Sequence, residues 1–409
     1  MNPHGPPRGI QYAPTVIRRS RAAWVFSILS ASLSMGYGVL FTVVGDFRDE
    51  YGISETAIGL VIGTGFLAAF VAQVFIAPLA DRGWARELVA IGVLMNVVGL
   101  AMMGFGESLG PILFGRIVSG LGIGVALPAI RRIVILTDQE NLGENLGRLF
   151  SADVFGFAMG PAVSAVLVGP FGLTAPFLVV GALNLAALVP ATAMAQDDEA
   201  TDESGQRLAL DLLRSRVVAG AVVLASTAFM MVGAFDALWD IVHEDLHTAT
   251  WMANLGITLF AVPLVIFGPM GGRWAQNYGP FRLASVGLLA GAFFMFSYGQ
   301  LPSGEWIFGV AMAHAITDGL TFSASGVAIA MAVPQERQAG AQGVMGAAQA
   351  LLAGITAIVI GGLYDSGGRA VAYTAAAGAM VVFVAIGMGL AAEFWTRGRH
   401  REISVEAVS

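Results

Sequence analysis

Twelve stretches of mostly apolar residues alternate along the chain with short segments that carry most of the charges. Each stretch is about 20 residues long, which is the length that an α-helix needs to cross the hydrocarbon core of a bilayer. The pattern predicts transmembrane helices at 23–45, 56–78, 87–106, 110–131, 148–169, 173–195, 216–240, 251–270, 282–300, 305–332, 341–362 and 371–393. This periodicity indicates an all-α integral membrane protein.

The composition supports the same class. The 409 residues are 56% hydrophobic and only 12% charged, whereas soluble domains carry about 25% charged residues. A water-soluble fold of this size could not hide so much apolar surface. The absence of cysteine excludes disulfides and thiolate metal sites, and we expect neither a metal nor a cofactor. A net charge of −7, with no basic stripe, argues against a nucleic-acid partner.

The arginines predict how the chain is oriented. Every basic residue is arginine, and eighteen of the 21 fall in the segments on one side of the predicted membrane. Only Arg48 and Arg369 fall on the other side, and Arg116 lies within a span. Because cytoplasmic loops are enriched in arginine, we expect a multi-pass protein of the inner (plasma) membrane with both termini in the cytoplasm.

An acidic, polar segment from Gln196 to Gln206 divides the twelve spans into six and six. The predicted units are a cytoplasmic tail at 1–22, a six-helix bundle at 23–196, a cytoplasmic linker at 197–215, a second six-helix bundle at 216–394 and a cytoplasmic tail at 395–409. The two halves resemble each other: Asp81 and Gln276 follow the second and eighth spans at an offset of 195 residues. Internal repeats of this kind are typical of secondary transporters.

Three motifs resemble those of the major facilitator superfamily. The loop A-P-L-A-D-R-G-W-A-R at 77–86 keeps four residues of its pattern, Leu79, Asp81, Arg82 and Arg86. It departs from the pattern at Ala77, Trp84 and Ala85. An acid and two arginines on a short loop can form a conformational latch, because Asp81 would favour the positive N-terminal end of a facing helix. Ordinary positive-inside topology explains the arginines without a latch.

The second motif is R-I-V-S-G-L-G-I-G, which begins at Arg116 in the fourth span. The third lies in the fifth span, where Gly147, Gly156, Gly160 and Pro161 have the spacing G-x8-G-x3-G-P of the family's antiporters. Small residues allow close helix contact and proline permits a kink. In this family the motif is associated with export, although a chain with 53 glycines can match it by chance.

The resemblance implies two pseudo-symmetric six-helix bundles around a central cavity, lined by helices one, four, seven and ten. It implies a single chain that binds a small-molecule substrate and protons among membrane lipids and works by alternating access. The ionisable residues on those helices are candidates for proton coupling: Asp318, His314, Asp236 and Arg116. His314 and Asp318 share one helical face because four residues separate them. A static ion pair or hydrogen bond is the alternative for Asp318.

Aromatic residues on the same helices are candidates for substrate binding: Tyr37, Phe41, Phe235, Trp239 and Phe322. Ligand pockets are commonly apolar and aromatic with a few placed polar groups. Each of these rings could instead serve packing or face lipid.

Three functions remain open. The motif at Gly160 and Pro161 favours proton-coupled efflux of a lipophilic small molecule or drug. The alternatives are proton-coupled uptake of an organic anion, with Arg116 binding its carboxylate, and a membrane sensor that does not transport. The chain has no phosphate loop, no H-E-x-x-H site and no G-x-S-x-G turn, so we do not expect an enzyme.

Overall fold

The computed structural model describes residues 13–194 and 208–394, apart from some side chains within helices, and this part of the chain is almost entirely helical. The α-helices are α1 Ala13–Tyr51, α2 Glu55–Phe75, α3 Ala85–Phe105, α4 Leu109–Thr137, α5 Leu142–Phe171, α6 Thr174–Met194, α7 Arg216–Asp245, α8 Thr250–Tyr278, α9 Pro280–Gln300, α10 Gly304–Thr321, α11 Ala324–Ala332 and α12 Gln338–Leu390. Short 3₁₀ helices lie at Ala77–Arg82, Ala209–Arg214, Gln335–Arg337 and Ala392–Phe394. Residues 1–12 of the predicted N-terminal tail, residues 197–207 of the predicted linker and the predicted C-terminal tail lie outside the described residues, whereas residues 13–22 of the predicted N-terminal tail form the start of α1.

Ten helical runs within the described residues are long and apolar enough to cross a membrane. The last of these runs, Gln335–Leu390, has 56 residues and covers both the eleventh and the twelfth predicted spans. The eighth predicted span lies within α8, which has 29 residues and is therefore also long enough to cross. Each of the twelve predicted spans thus falls largely on a helical run that is long enough to cross a membrane.

Helix α12 reverses direction at Gly368, whose φ of 72° and ψ of −177° break the helix. Before the break, Ala353 of α12 lies against Gly233 of α7, and the Tyr364 hydroxyl donates a hydrogen bond to Asp245. After the break, Gly387 lies against Gly220, near the other end of α7. The two segments therefore run antiparallel beside α7. A positive φ costs glycine little because it has no Cβ, so this residue suits the reversal.

The tenth predicted span is not one uninterrupted helix. Helix α10 ends at Thr321, and α11 begins at Ala324 after a break at Phe322 and Ser323. The Ser323 hydroxyl lies 3.5 Å from the Gly268 carbonyl oxygen of α8, to which it donates. The break places a polar contact with the neighbouring helix where the backbone ladder is interrupted.

Helices α1 to α6 form one half of the molecule, and α7 to α12 form the other. In the first half α3 packs on α4 and α6, α1 packs on α5 and α6, and α2 packs on α4. In the second half α12 packs on α7 and α9, and α8 packs on α10. Hydrogen bonds within each half tie the ends of some helices, for example from Thr174 to the Gly104 carbonyl and from Arg369 to the Leu301 carbonyl.

The two halves meet backbone to backbone between α5 and α8. Gly143 and Gly147 of α5 face Gly272 and Gly268 of α8, so a small-x-x-x-small pattern lies on each side. A Cβ placed on Gly147 would lie 2.1 Å from the Gly268 carbonyl oxygen, and one on Gly272 would lie 1.9 Å from that of Gly143. Only glycine permits so close an approach between helices. This seam lies at the end of the bundle that carries most arginines, called the arginine-rich end below.

We predict that Gly147→Val separates the halves at this seam. Overpacking a tight contact costs about 1–3 kcal/mol, and each 1.4 kcal/mol changes a population about tenfold. Ser151 of α5 is 5% exposed and its hydroxyl donates to the Leu264 carbonyl of α8. In the natural cysteine-free background, a Ser151→Cys reporter should react with a water-soluble maleimide about tenfold faster when Gly147→Val is also present.

The matched control is Gly169→Val on the same helix, because no atom lies within 4 Å of a Cβ at that position. It should leave the labelling rate of the reporter unchanged. Equal rates in the Gly147→Val and Gly169→Val proteins would contradict the assignment of the seam.

Candidate functional site

His314 and Asp318 form a buried pair on α10. The Nε2 atom of His314 lies 3.4 Å from the Oδ1 atom of Asp318, one helical turn further along. The two residues are only 3% and 4% exposed. Polar and ionisable groups at this depth in a membrane protein are costly, and they usually have a function or a partner.

Aromatic side chains of α8 and α9 contact the imidazole of His314. The Tyr298 hydroxyl of α9 lies 2.8 Å from its Nδ1 atom. Phe294 of α9 stacks on the ring at a centroid distance of 4.7 Å, and Phe260 of α8 meets it edge-on. The pair therefore faces the interior of the second half, against α8 and α9.

Two of the predicted substrate-binding rings join the same aromatic group. Phe235 of α7 stacks on Trp239 at 4.6 Å and contacts Phe260 at 5.2 Å. Trp239 is 2% exposed, so its ring serves packing in this conformation. Asp236 lies between them in α7, and its side chain is outside the described residues.

Arg116 occupies the first half, apart from His314 and Asp318. It is 1% exposed, and its Cζ atom lies 4.1 Å from the centroid of the Tyr37 ring and 5.9 Å from that of Phe66. Its guanidinium lies against the backbone of Gly65, where an added Cβ would be 2.1 Å from Nε. The Nε and Nη2 atoms have no hydrogen-bond partner in the described part of the chain. The charge is thus stabilised by aromatic faces.

The rings around Arg116 continue towards α5. Phe41 lies 5.7 Å from Tyr37 and 5.9 Å from Phe157, measured between centroids. Phe41, Phe66 and Phe157 are 36–38% exposed. Tyr37 and Phe41, which were predicted together, therefore do lie together, and Phe66 and Phe157 extend their surface.

Phe322 bridges the two halves. It stacks on Phe150 of α5 at 5.0 Å with an interplanar angle of 15°, and it contacts Phe229 of α7 at 5.7 Å. It lies at the break after α10, one turn beyond Asp318, and its amide donates to the Asp318 carbonyl. In this conformation Phe322 closes the seam between the halves.

Asp81 joins the halves at the arginine-rich end. It is 1% exposed and accepts hydrogen bonds from the amides of Ala339 at 2.9 Å and Gly340 at 2.7 Å, in the first turn of α12. The Nε atom of Arg132, near the end of α4, lies 3.0 Å from Oδ1 of Asp81, and Arg132 is fully buried. A carboxylate on a helix N-terminus satisfies free amides and complements the helix dipole.

The other two members of the predicted latch are more accessible. Arg82 is partly buried and Arg86 is exposed. Gln276, at the position equivalent to Asp81, makes a neutral version of the same contact. Its Oε1 accepts from the Gly143 amide at 2.7 Å, and its Nε2 donates to the carbonyls of Gln139 and Glu140.

The antiporter-motif helix α5 contacts two different partners. Gly147 packs on α8 of the other half, as described above. Gly156 and Gly160 pack on α1. A Cβ on Gly156 would lie 2.0 Å from the Ala31 carbonyl oxygen, and a Cβ on Gly160 would lie 2.3 Å from the Gly38 carbonyl carbon. Pro161 follows inside the helix. The motif thus supports packing within the first half as well as the seam.

Sequence reasoning missed several of these contacts. Tyr298, Arg132 and Phe150 were not singled out, although each lies within hydrogen-bonding or ring-contact distance of a residue that was. Their sequence signal is weak: a tyrosine near the end of an apolar span and one arginine of the pair at 131–132 resemble many membrane-interface residues.

The comparisons with known proteins agree on one family. The model of the Major Facilitator Superfamily matches residues 26–242 and 218–406. The quinolone resistance protein NorA of Staphylococcus aureus is 21% identical over 216 residues, which cover 52% of this chain and 55% of NorA. The matched part of the chain thus spans about half the length of the curated relatives.

Two solved structures share the fold. The human organic anion transporter MFSD10 (TETRAN) matches 90% of this chain and 99% of its own, at 15% identity and a TM-score of 0.74. The match to the proton:xylose symporter XylE covers 94% of this chain and 96% of XylE, at 14% identity and a TM-score of 0.69. The predicted all-α, multi-pass membrane fold with twelve helices in two bundles is confirmed. The chain belongs to the major facilitator superfamily.

Proposed function

We propose that the protein is a secondary transporter that exports a lipophilic small molecule in exchange for protons. The observation that carries the proposal is the His314–Asp318 pair, an acid and a base 3.4 Å apart inside an apolar helix. The similarity to a quinolone resistance protein supports efflux over uptake. A non-transporting sensor would have no evident use for such a pair.

The chemistry of the pair suits proton coupling. How tightly a carboxylate holds a proton depends on whether its surroundings are dry, wet or charged, and alternating access changes those surroundings. A histidine beside it titrates near neutral pH when unperturbed. Asp318 is then the main proton site and His314 its partner. Asp236 and Arg116 remain candidates for a second proton site and for charge compensation.

The arrangement of the halves fits one step of such a cycle. The halves touch at the arginine-rich end, which the positive-inside rule assigns to the cytoplasm. We propose that the latch of Asp81, Arg82 and Arg86, together with Arg132, holds this end shut and that its release admits substrate from the cytoplasm. In the same proposal, the two bundles span residues 23–196 and 216–394, and a single chain is the working unit.

We predict that Asp318→Asn abolishes coupling. Purified protein in liposomes with an imposed pH gradient is given a panel of lipophilic cations and organic anions, and an internal pH dye reports proton movement. Substrate should trigger proton flux in the natural protein and none in the variant, because the asparagine side chain does not bind or release a proton as a carboxylate does.

The matched control is Asp153→Asn. Asp153 is a carboxylate within α5 that accepts a hydrogen bond from Ser30. Its Oδ2 atom lies 3.7 Å from Nη2 of Arg131, so an arginine already lies beside its charge. This variant should retain substrate-triggered proton flux. Full coupling in Asp318→Asn would refute the assignment of the proton site.

We predict that Asp81→Asn opens the arginine-rich end. Removing one partner of a buried ion pair costs about 3–5 kcal/mol, since the charge of Arg132 remains buried. The Ser151→Cys reporter should therefore label faster and the midpoint of thermal unfolding should fall. Glu87→Gln, a matched acid-to-amide change at an exposed position in the first turn of α3 and outside the latch, is the control.

A double-mutant cycle with Asp81→Asn and Arg132→Leu separates the ion pair from the helix cap. The double variant should recover part of the lost stability, because it no longer buries an unpaired charge. Simple additivity of the two single effects would mean that the two side chains are not coupled.

A second candidate function is proton-coupled uptake of an organic anion. The buried guanidinium of Arg116, whose Nε and Nη2 atoms have no hydrogen-bond partner among the described residues, favours it. A carboxylate can bind such a guanidinium through two parallel hydrogen bonds. This candidate requires Tyr37 or Phe66 to move, because Arg116 is 1% exposed.

We predict from this candidate that Arg116→Gln abolishes uptake of a radiolabelled aromatic carboxylate into proteoliposomes. Arg131→Gln, which removes an arginine already beside Asp153, should retain it. Unchanged uptake in Arg116→Gln, or transport of lipophilic cations alone, would leave efflux as the better account.

A further inference from the structure

Tyr298 is a buried residue to which the proposed proton coupling assigns no role. It lies near the end of α9, it is 2% exposed, and its hydroxyl is 2.8 Å from the Nδ1 atom of His314. A hydroxyl in so apolar a place needs a hydrogen-bond partner. The Nδ1 atom of the imidazole supplies that partner, whereas Nε2 has no hydrogen-bond partner among the described residues and lies 3.4 Å from Asp318.

We propose that Tyr298 is a positioning residue that lets His314 hold or release a proton at Nδ1 while Nε2 stays directed at Asp318. The inference rests on the proposed function for its role in transport, although the effect on His314 is measurable without transport. Tyr298 touches neither Asp318 nor a substrate in this conformation, so it acts through His314.

The hydroxyl group can serve both protonation states of the imidazole. A neutral imidazole has one N–H donor and one acceptor nitrogen, and an imidazolium has two donors. When His314 is neutral with its hydrogen on Nε2, the Tyr298 O–H donates to Nδ1. When a proton binds at Nδ1, the hydroxyl turns and its oxygen accepts the new N–H. One proton is gained, and no bond between heavy atoms changes.

The imidazole cannot obtain the same result by rotating. Phe294 stacks on one face at an interplanar angle of 22°, and Phe260 meets the ring edge-on at 89°. Gly291 of α9 lies on the Nε2 side of the ring, where an added Cβ would be in ordinary van der Waals contact with that atom, at 3.5 Å. The ring is thus clamped with Nδ1 towards α9 and Nε2 towards Asp318.

Few other groups can exchange a proton with this ring. Among the described side chains, the titratable ones around His314 are Asp318 on α10, Tyr298 on α9 and, beyond Tyr298, Tyr373 on α12. The ring of Tyr373 lies 5.6 Å from that of Tyr298. Helices α7 and α8 present Met231 and Phe260 instead. A change in the Tyr298 hydroxyl should therefore be read directly in the titration of His314.

The test uses the full-length protein in detergent or nanodiscs, labelled with ¹⁵N-histidine. The chain has five histidines, and the signals lost in His314→Asn identify those of His314. Imidazole ¹⁵N shifts distinguish the two neutral tautomers and the imidazolium. Tyr298→Phe removes only the hydroxyl, so an N–H at Nδ1 would have no acceptor and the charged form would be disfavoured.

We predict that the titration of His314 moves about one pH unit towards acid in Tyr298→Phe, a change as large as the usual spread among protein histidines. Tyr373→Phe is the matched control, since Tyr373 is as buried, at 3%, and contacts Tyr298 rather than His314. It should titrate like the natural protein. Equal titrations in the two variants would overturn the proposal.

Transport separates this inference from the proposed function. If Tyr298→Phe also shifts the pH profile of substrate-triggered proton flux, both stand. A shifted ¹⁵N titration together with full coupling in Asp318→Asn would refute the proposed proton site while leaving the role of Tyr298 towards His314 intact. Should Tyr298→Phe fail to fold, recovery of folding in Tyr298→Phe/His314→Leu would support the pairing, and no recovery would count against it.

Discussion

Polar groups inside a membrane-spanning bundle must find their partners within the bundle, because lipid tails offer no hydrogen bonds. That constraint accounts for most of the side-chain contacts on which this structure depends. Asp81 is buried against Arg132 and two amides of α12. His314 is buried between Tyr298 and Asp318. Each of these two buried groups therefore contacts at least one neighbouring helix.

The seam between the halves combines two kinds of contact that respond differently to change. Backbone-to-backbone packing at Gly143, Gly147, Gly268 and Gly272 is short-ranged and tolerates no added atom. The caps at the helix starts are electrostatic, and they are unequal: Asp81 presents a carboxylate to α12, whereas Gln276 presents a neutral amide to α5. The two sides of the repeat have thus kept the geometry while differing in charge.

The candidate groups for proton and substrate are divided between the halves. His314 and Asp318 face α8 and α9 inside the second half, whereas Arg116 lies on Tyr37 in the first. Phe322 connects these regions, since it follows Asp318 by one turn and stacks on Phe150 across the seam. Asp318 and the residue that makes this contact are thus four positions apart along the chain, on either side of the end of α10 at Thr321.

The sequence by itself determined the class of fold. Spans of about 20 apolar residues can only be helices in lipid, and a spacing of four put His314 and Asp318 on one face. The tertiary structure decided the partners. Tyr298 and His314, which are in contact, are 16 residues apart in the sequence. Asp81 and Arg132, which form an ion pair, are 51 residues apart. The reversal at Gly368 and the burial of Arg116 also depend on neighbouring helices. Hydropathy is a property of each segment alone, whereas a partner is chosen by the packing of several segments, and no local pattern encodes that choice.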